Sequence, residues 1–171
     1  MAMGLPPSVV SISKLLREHI EEIIAMLRSL NERWDTDRFD SADNLAKYLG
    51  AYQKRGFVAR TEQGELAGFV LYCMGYVWPL DRKEFHPTAD TGFISDIIVH
   101  PRHWRKGIGT QLMIEAEKEL TKMGARRITL YTGPDNARAQ AFFAGIGYRV
   151  SGRADSVGFE KVVPRENSES P

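Results

Sequence analysis

The chain has 171 residues, 43% of them hydrophobic and 26% charged, which is typical of a folded globular domain and excludes a fibrous or disordered chain. Its 23 basic and 22 acidic side chains nearly cancel, so no strong positive field favours nucleic acid or an anionic membrane surface. The lone Cys73 and an N-terminus unlike a secretory signal predict a cytoplasmic setting, and no apolar run approaches the roughly 18 residues that cross a bilayer.

The first third of the chain predicts a strand and two helices. A β-branched run over 9–12 predicts the strand, and apolar residues then recur at a helical period over 15–30. After a polar interval, Ser41 suits the N-cap of a second helix over 45–52.

The next part of the chain predicts strands and one long loop. Residues 57–61 and 66–72 flank a polar turn, which indicates a β-hairpin. Residues 76–91 contain two prolines and no sustained period, so they predict a loop. Residues 93–99 are almost continuously apolar, which predicts a central strand covered on both faces, interrupted by Asp96.

The second half predicts helices alternating with strands. Apolar residues over 108–123 mark one helical face, and Gly124 supplies its stop. The remaining predicted elements are a strand over 127–131, a helix over 136–144 and a closing strand pair over 148–150 and 158–163. Because no repeat or linker interrupts this order, we predict a single domain over 1–164 and a disordered tail over 165–171.

A tight basic turn joins the apolar strand to the following helix. It consists of Arg105, Lys106, Gly107, Ile108, Gly109 and Thr110. Glycines let a backbone approach a phosphate, a helix N-terminus adds partial positive charge, and the two basic side chains add full charge. The turn lacks the ending of a nucleotide P-loop and the third glycine of a dinucleotide site, so it predicts another phosphate-bearing ligand.

This order of elements resembles the GNAT superfamily of N-acetyltransferases. The strand ending in Val99-His100-Pro101, the basic Gly-Ile-Gly turn and the segment from Asn136 to Tyr148 carry the resemblance. It implies an α/β fold with a mixed, largely antiparallel sheet of six to seven strands and about four helices, splayed between strands 4 and 5. Acetyl-coenzyme A is expected in that gap.

The resemblance also implies which residues hold acetyl-coenzyme A. Pantetheine pairs with Ile97, Ile98 and Val99, and the pyrophosphate binds the N–H groups of residues 105–110. A bulge on the fourth strand frees one N–H, that of Ile98, to polarise the thioester carbonyl. Asn136 contacts the pantetheine arm.

Two residues depart from the family pattern. Trp104 replaces the usual Arg or Gln three residues before the first glycine; since backbone N–H groups make most phosphate contacts, we expect the site to survive. Phe143 stands where many members have the tyrosine that protonates the departing thiolate. The proton must then come from water or another group. Tyr131 and Tyr148 are alternatives, although their positions favour partly buried packing aromatics over proton donors.

The general base is predicted to be Asp96, because a carboxylate in an apolar strand is costly unless something pairs with it or uses it. Pairing with a neighbouring backbone or arginine group is the structural alternative. Ser95 occupies the position of a glutamate in several relatives, so a water held by Ser95 is a second route for the proton. Further alternatives on the long loop are Glu84, His86 and Asp90.

The resemblance therefore implies an acetyl-CoA-dependent N-acetyltransferase that acts on an amine of a small molecule or peptide by direct attack. The alternative is a non-catalytic acyl-CoA-binding module, with Phe143 and the missing glutamate as signs of lost chemistry. We expect no metal, since His100 and His103 lack a third ligand of suitable spacing, and no nucleic-acid or membrane partner. The identity of the acceptor and the oligomeric state, including a homodimer, stay open.

Overall fold

The computed structural model describes residues 11–30, 46–48, 50, 55–75, 90–153 and 156–164. They fall into two compact units, one drawn from Met1–Leu71 and Asp96–Glu115, the other from Tyr72–Ser95 and Ala116–Pro171. The tail predicted over 165–171 and nearly all of the predicted loop lie outside the described residues.

Seven strands form one sheet in the order β1-β2-β3-β4-β5-β7-β6. They are β1 (Ser11–Lys14), β2 (Gly56–Arg60), β3 (Leu66–Met74), β4 (Thr91–Val99), β5 (Arg127–Thr132), β6 (Arg149–Arg153) and β7 (Val157–Val162). Strands β4 and β5 are parallel, while β1–β2, β2–β3, β5–β7 and β6–β7 are antiparallel pairs. The predicted mixed, largely antiparallel sheet is therefore confirmed.

Three helices have described bounds, namely α1 (Ile20–Ser29), α2 (Ile108–Lys122) and α3 (Ala137–Gly145). Helical residues at 46–48 and 50 mark the predicted second helix of the sequence, which brings the helices to the expected four. A 3-10 turn, Pro101–His103, follows β4. None of the described helices is long and apolar enough to cross a membrane.

The apolar stripe of α2 buries one face of the helix, as its period predicts. The buried members, each at most 1% exposed, are Ile108, Leu112, Met113, Ala116 and Leu120. Met123 was predicted on the same face but is 48% exposed. It lies beyond the end of α2, where the chain reverses at Gly124 with a φ of 99°.

The parallel pairing of β4 with β5 is short. Within the described residues it runs from Thr91–Arg127 to Phe93–Thr129, although β4 continues to Val99. This short pairing agrees with the prediction that strands 4 and 5 separate along their length.

Candidate functional site

Strand β4 changes from buried to half-buried along its length. Gly92, Phe93 and Ile94 are buried, whereas every residue from Ser95 to Val99 is half-buried. The prediction of a strand covered on both faces is therefore wrong for its second half. Asp96 lies in this half-buried part of the strand.

Backbone hydrogen bonds between β3 and β4 reveal one extra residue on β4. The N–H of His100 donates to the carbonyl of Ala67 at 2.9 Å, and the N–H of Gly75 donates to the carbonyl of Thr91 at 2.8 Å. Such bonds join directly opposed residues in an antiparallel ladder. These opposed residues are eight apart on β3 but nine apart on β4, so β4 carries a bulge between Thr91 and His100.

The register after the bulge decides which way the backbone groups of β4 point. Every second residue of an antiparallel strand directs its N–H and C=O toward the partner strand. Because His100 is opposite Ala67 and Gly68 lies beside Val99, we infer that Ile98 faces Phe69 of β3 in this way. Ile97 and Val99 consequently direct their backbone groups away from β3, along the opposite edge of β4.

Trp104 fixes the end of that edge. Its half-buried indole donates an N–H to the carbonyl of Val99 at 2.7 Å, and its backbone N–H donates to the carbonyl of Pro101 at 3.1 Å. Trp104, which replaces the usual Arg or Gln of the family, therefore has a structural role. Its side chain hydrogen-bonds the last carbonyl of β4 immediately before the basic turn begins.

The basic turn alternates the sign of its φ angles, as anion-binding nests do. Arg105 and Gly107 are left-handed, with φ angles of 63° and 77°, and Lys106 lies between them. Such alternation of hand brings successive N–H groups toward one point. All three residues are exposed, while Ile108 buries its side chain and begins α2. Gly109 and Thr110 follow in the first turn of the helix.

Glu65, in the turn between β2 and β3, contacts two side chains of the 3-10 turn that precedes the basic turn. Its carboxylate oxygens lie 3.3 Å from a guanidinium nitrogen of Arg102 and 3.6 Å from Nε2 of His103. His100 Nδ1 accepts the N–H of Arg102 at 3.2 Å. Burial, together with the charges of Arg102 and His103, lowers the pKa of His100 below its ordinary value.

In the part of the chain described, no three side chains of the kinds that bind metal ions lie close enough together to form a metal site.

Asp96 has a side-chain partner that the sequence did not predict. The hydroxyl of Tyr48 donates a hydrogen bond to Oδ2 of Asp96, and both side chains are half-buried. Ser95, the alternative base, precedes Asp96 and belongs to the other unit. Asp90 is exposed and its carbonyl accepts the N–H of Arg126 at 2.8 Å, while Glu84 and His86 lie outside the described residues.

The remaining predicted residues, Asn136 and Phe143, lie in the second unit. Asn136 is the N-cap of α3, and its side-chain oxygen accepts the N–H of Ala139 at 3.1 Å. Phe143 is 5% exposed and packs its ring against Phe159, with centroids 5.7 Å apart. Their contacts with acetyl-coenzyme A stay predictions.

The two tyrosines considered as proton donors lie in different surroundings. Tyr148 is buried, and its hydroxyl donates to Glu117 at 3.1 Å. Burial, followed by the charge and hydrogen bond of Glu117, raises the pKa of Tyr148 far above its ordinary value, which makes it a poor acid. Tyr131 is 41% exposed on β5, and its ring lies against Phe93 and over Gly158.

Comparisons with known proteins point to one family. A family profile described as the acetyltransferase (GNAT) family matches residues 18–148. A comparison with curated protein sequences gives no significant match.

Solved structures of acetyltransferases share this fold. The PaiA N-acetyltransferase of Thermoplasma acidophilum, in complex with coenzyme A, is 21% identical over 91% of this chain and 99% of that chain, with a TM-score of 0.70. The ribosomal-protein-S18-alanine N-acetyltransferase of Escherichia coli is 18% identical over 95% and 99%, with a TM-score of 0.66. The GNAT domain of S. lividans PAT is 17% identical over 90% of each chain, with a TM-score of 0.72.

Proposed function

Because the chain belongs to the acetyltransferase (GNAT) family, whose cosubstrate is acetyl-coenzyme A, we propose that it transfers the acetyl group to an amine of a small molecule or peptide. The observation that carries this proposal is the nest-forming basic turn, which follows the half-buried end of β4 after one 3-10 turn. Acetyl-coenzyme A supplies the thioester. The residues of the chain bind and orient it and accept the proton that leaves the amine.

The basic turn binds the pyrophosphate. The left-handed Arg105 and Gly107 direct backbone N–H groups toward a common point, and the first turn of α2 adds those of Gly109 and Thr110. The exposed side chains of Arg105 and Lys106 add positive charge without being buried themselves. Backbone donors carry the site, which is why Trp104 in place of a polar side chain does not remove it.

The pantetheine arm pairs with the edge of β4 that points away from β3. The register supports Ile97 and Val99 for this pairing, whereas the backbone N–H and C=O of Ile98 point toward Phe69. This refines the expectation that all three residues share the task. It also favours Ile97 over Ile98 as the N–H donor to the thioester carbonyl. A contact from Asn136 would use its amide NH₂ group, since the amide oxygen caps α3.

Asp96 acts as the general base. As the amine nitrogen bonds to the acetyl carbon and the carbon–sulfur bond breaks, the proton on nitrogen passes to the carboxylate of Asp96. The departing thiolate takes its proton from water or from Tyr131, which is 41% exposed, because Phe143 has none to give and the hydroxyl of Tyr148 is held by Glu117.

Thiol release in an amine panel tests the proposed activity. We expect the protein to release free thiol from acetyl-coenzyme A with at least one class among peptide amines, amino acids, polyamines and drug-like amines. Asp96→Asn should lower that rate by about 10²- to 10⁴-fold without weakening acetyl-coenzyme A binding. Binding without thiol release in any class would instead identify an acyl-CoA-binding module.

A bulky substitution tests the cofactor site separately. Gly109→Trp should abolish acetyl-coenzyme A binding measured by calorimetry, while thermal unfolding shows that the fold is kept. Gly145→Trp is the matched control, because Gly145 is exposed and a Cβ there meets nothing within 4 Å. Wild-type binding by Gly109→Trp would remove the pyrophosphate from this turn.

A further inference from the structure

Trp104 connects the strand that is proposed to pair with pantetheine to the turn that is proposed to bind the pyrophosphate. Its indole N–H donates to the carbonyl of Val99 at 2.7 Å, and its backbone N–H donates to the carbonyl of Pro101 at 3.1 Å. Arg105, the first residue of the basic turn, follows it directly. The end of β4 and the start of the basic turn are thus held together across five positions of the chain.

The carbonyl of Val99 lies on the edge of β4 that faces away from β3. It shares a peptide bond with the N–H of His100, which donates to Ala67 of β3 at 2.9 Å. The C=O and N–H of a trans peptide point in opposite directions, so the carbonyl of Val99 points away from β3. The indole therefore binds the last acceptor of β4 on the edge that is proposed to pair with pantetheine.

Acetyl-coenzyme A must fit this edge and the basic turn at the same time, because its pantetheine and its pyrophosphate belong to one molecule. Pantetheine contains two amides, and an extended amide chain adds to a strand edge through its N–H and C=O groups. The indole N–H competes with a ligand N–H for the carbonyl of Val99. Pairing is consequently favoured at the backbone groups of Ile97 and at the N–H of Val99.

We propose that Trp104 is a positioning residue for acetyl-coenzyme A, which fixes the register of the pantetheine arm on β4 relative to the pyrophosphate in the basic turn. The register decides where the thioester lies along β4, since strand positions that face the same edge repeat about every 6.6 Å. This inference rests on the proposed function, which places both parts of the cofactor. Tryptophan shares with the usual Arg and Gln a side-chain N–H donor, which is the property that this role needs.

Two ligands separate this role from general support of the turn. Coenzyme A contains pantetheine, whereas 3′-phospho-ADP is the same molecule without it. Trp104→Phe keeps a ring and removes the indole N–H, so calorimetry should show the affinity for coenzyme A falling about 3- to 10-fold, as for loss of one neutral hydrogen bond. The affinity for 3′-phospho-ADP should stay within about twofold. At saturating acetyl-coenzyme A, kcat should also fall, because a shifted thioester is misaligned for attack.

Two further variants serve as controls, with thermal unfolding used to confirm that each is folded. Trp104→Gln restores a side-chain N–H without the ring, so it should recover the preference for coenzyme A over 3′-phospho-ADP even if it melts at a lower temperature than Trp104→Phe. Arg102→Ala removes the contact with Glu65 in the same segment but leaves the bond to Val99 intact. It should change the affinities for both ligands by the same factor.

The outcomes distinguish the role of Trp104 from the proposed site itself. Equal losses for the two ligands in Trp104→Phe, or an unchanged affinity for coenzyme A, would overturn the role of Trp104. A preference that Trp104→Gln loses as fully as Trp104→Phe would do the same. If the wild-type protein bound both ligands equally well, the pairing of pantetheine with β4 would be wrong, and the proposed cofactor site would fall with it.

Discussion

A Cβ atom added to Gly68 would lie 2.5 Å from the carbonyl oxygen of Ile98, closer than real Cβ atoms approach backbone oxygen. The same atom would lie 3.1 Å from the Cα of Val99. Since both neighbours are backbone, relief requires a shift of β4 itself, and that shift would move the opposite edge of the strand, which is proposed to pair with pantetheine. The lack of a side chain at Gly68 of β3 therefore allows β4 to lie this close to β3.

Gly68→Ala should therefore damage binding and stability together. We expect the free energy of unfolding to fall by about 1 to 3 kcal/mol, as in other overpacked interiors, and acetyl-coenzyme A affinity to fall several-fold. Calorimetry and denaturant unfolding measure the two effects. Gly152→Ala on β6 is the control, because a Cβ there meets nothing within 4 Å. Equal behaviour of the two variants would contradict the close approach.

Arg105 combines a charge with a strained backbone, and two substitutions separate these properties. Arg105→Ala and Arg105→Gly both remove the charge, so both should weaken acetyl-coenzyme A binding and reduce its salt dependence. Only glycine relieves the left-handed φ of 63°, which costs other residues roughly 1 to 2 kcal/mol. Arg105→Gly should consequently unfold at a higher temperature than Arg105→Ala. Identical melting temperatures would mean that the turn relaxes without strain.

Phe143 should contribute mainly to the stability of the second unit. Because its ring is 5% exposed and packs against Phe159, Phe143→Ala should cost about 3 to 5 kcal/mol of unfolding free energy. Phe142→Ala, at the half-buried neighbouring position, should cost clearly less. Acetyl-coenzyme A affinity, measured where both variants are folded, tests the predicted ligand contact. Wild-type affinity in Phe143→Ala would remove Phe143 from the site.

Tyr148 predicts a pH dependence of stability on the alkaline side. Its folded pKa lies above the ordinary value of 10.0, so the unfolded chain releases this proton first as the pH rises. The stability contributed by the neutral phenol is fully present below pH 10 and falls above it, by up to about 1.4 kcal/mol per pH unit. Melting temperatures from pH 8 to 11 should drop more steeply for the wild type than for Tyr148→Phe. Parallel curves would mean that Tyr148 titrates normally in the folded protein.

Local signals in the sequence predicted most of the fold and the phosphate-binding turn. The helical period before Gly124, the hairpin and the Gly107-Ile108-Gly109 turn all depend on neighbours within a few residues, so they are visible in the sequence. The half-buried state of the second half of β4 was missed, because an apolar run shows the composition of a strand but not what packs against it.

Contacts between distant positions were not predictable in the same way. The bond from Tyr48 to Asp96 joins a helical residue to a strand 48 positions later, and no spacing rule connects them. The indole bond from Trp104 to Val99 depends on a side-chain direction that composition does not encode. Asn136 was predicted as the first residue of a helix, yet it is the N-cap and its side chain accepts a backbone N–H, as asparagine often does at such positions.

The extra residue on β4 makes the length of this strand more important than the identity of most of its residues. Side chains and backbone groups alternate along a strand, so deleting one residue of β4 would let it pair regularly with β3 and would abolish the bulge, whereas an insertion would add a second unopposed residue. The two ends of β4 could keep their pairing with Ala67 and Gly75, but the change of backbone direction at the bulge would be lost. Substitutions at Ile97 or Val99 leave the bulge intact. Single-residue insertions and deletions here should therefore be strongly selected against among proteins that keep the activity.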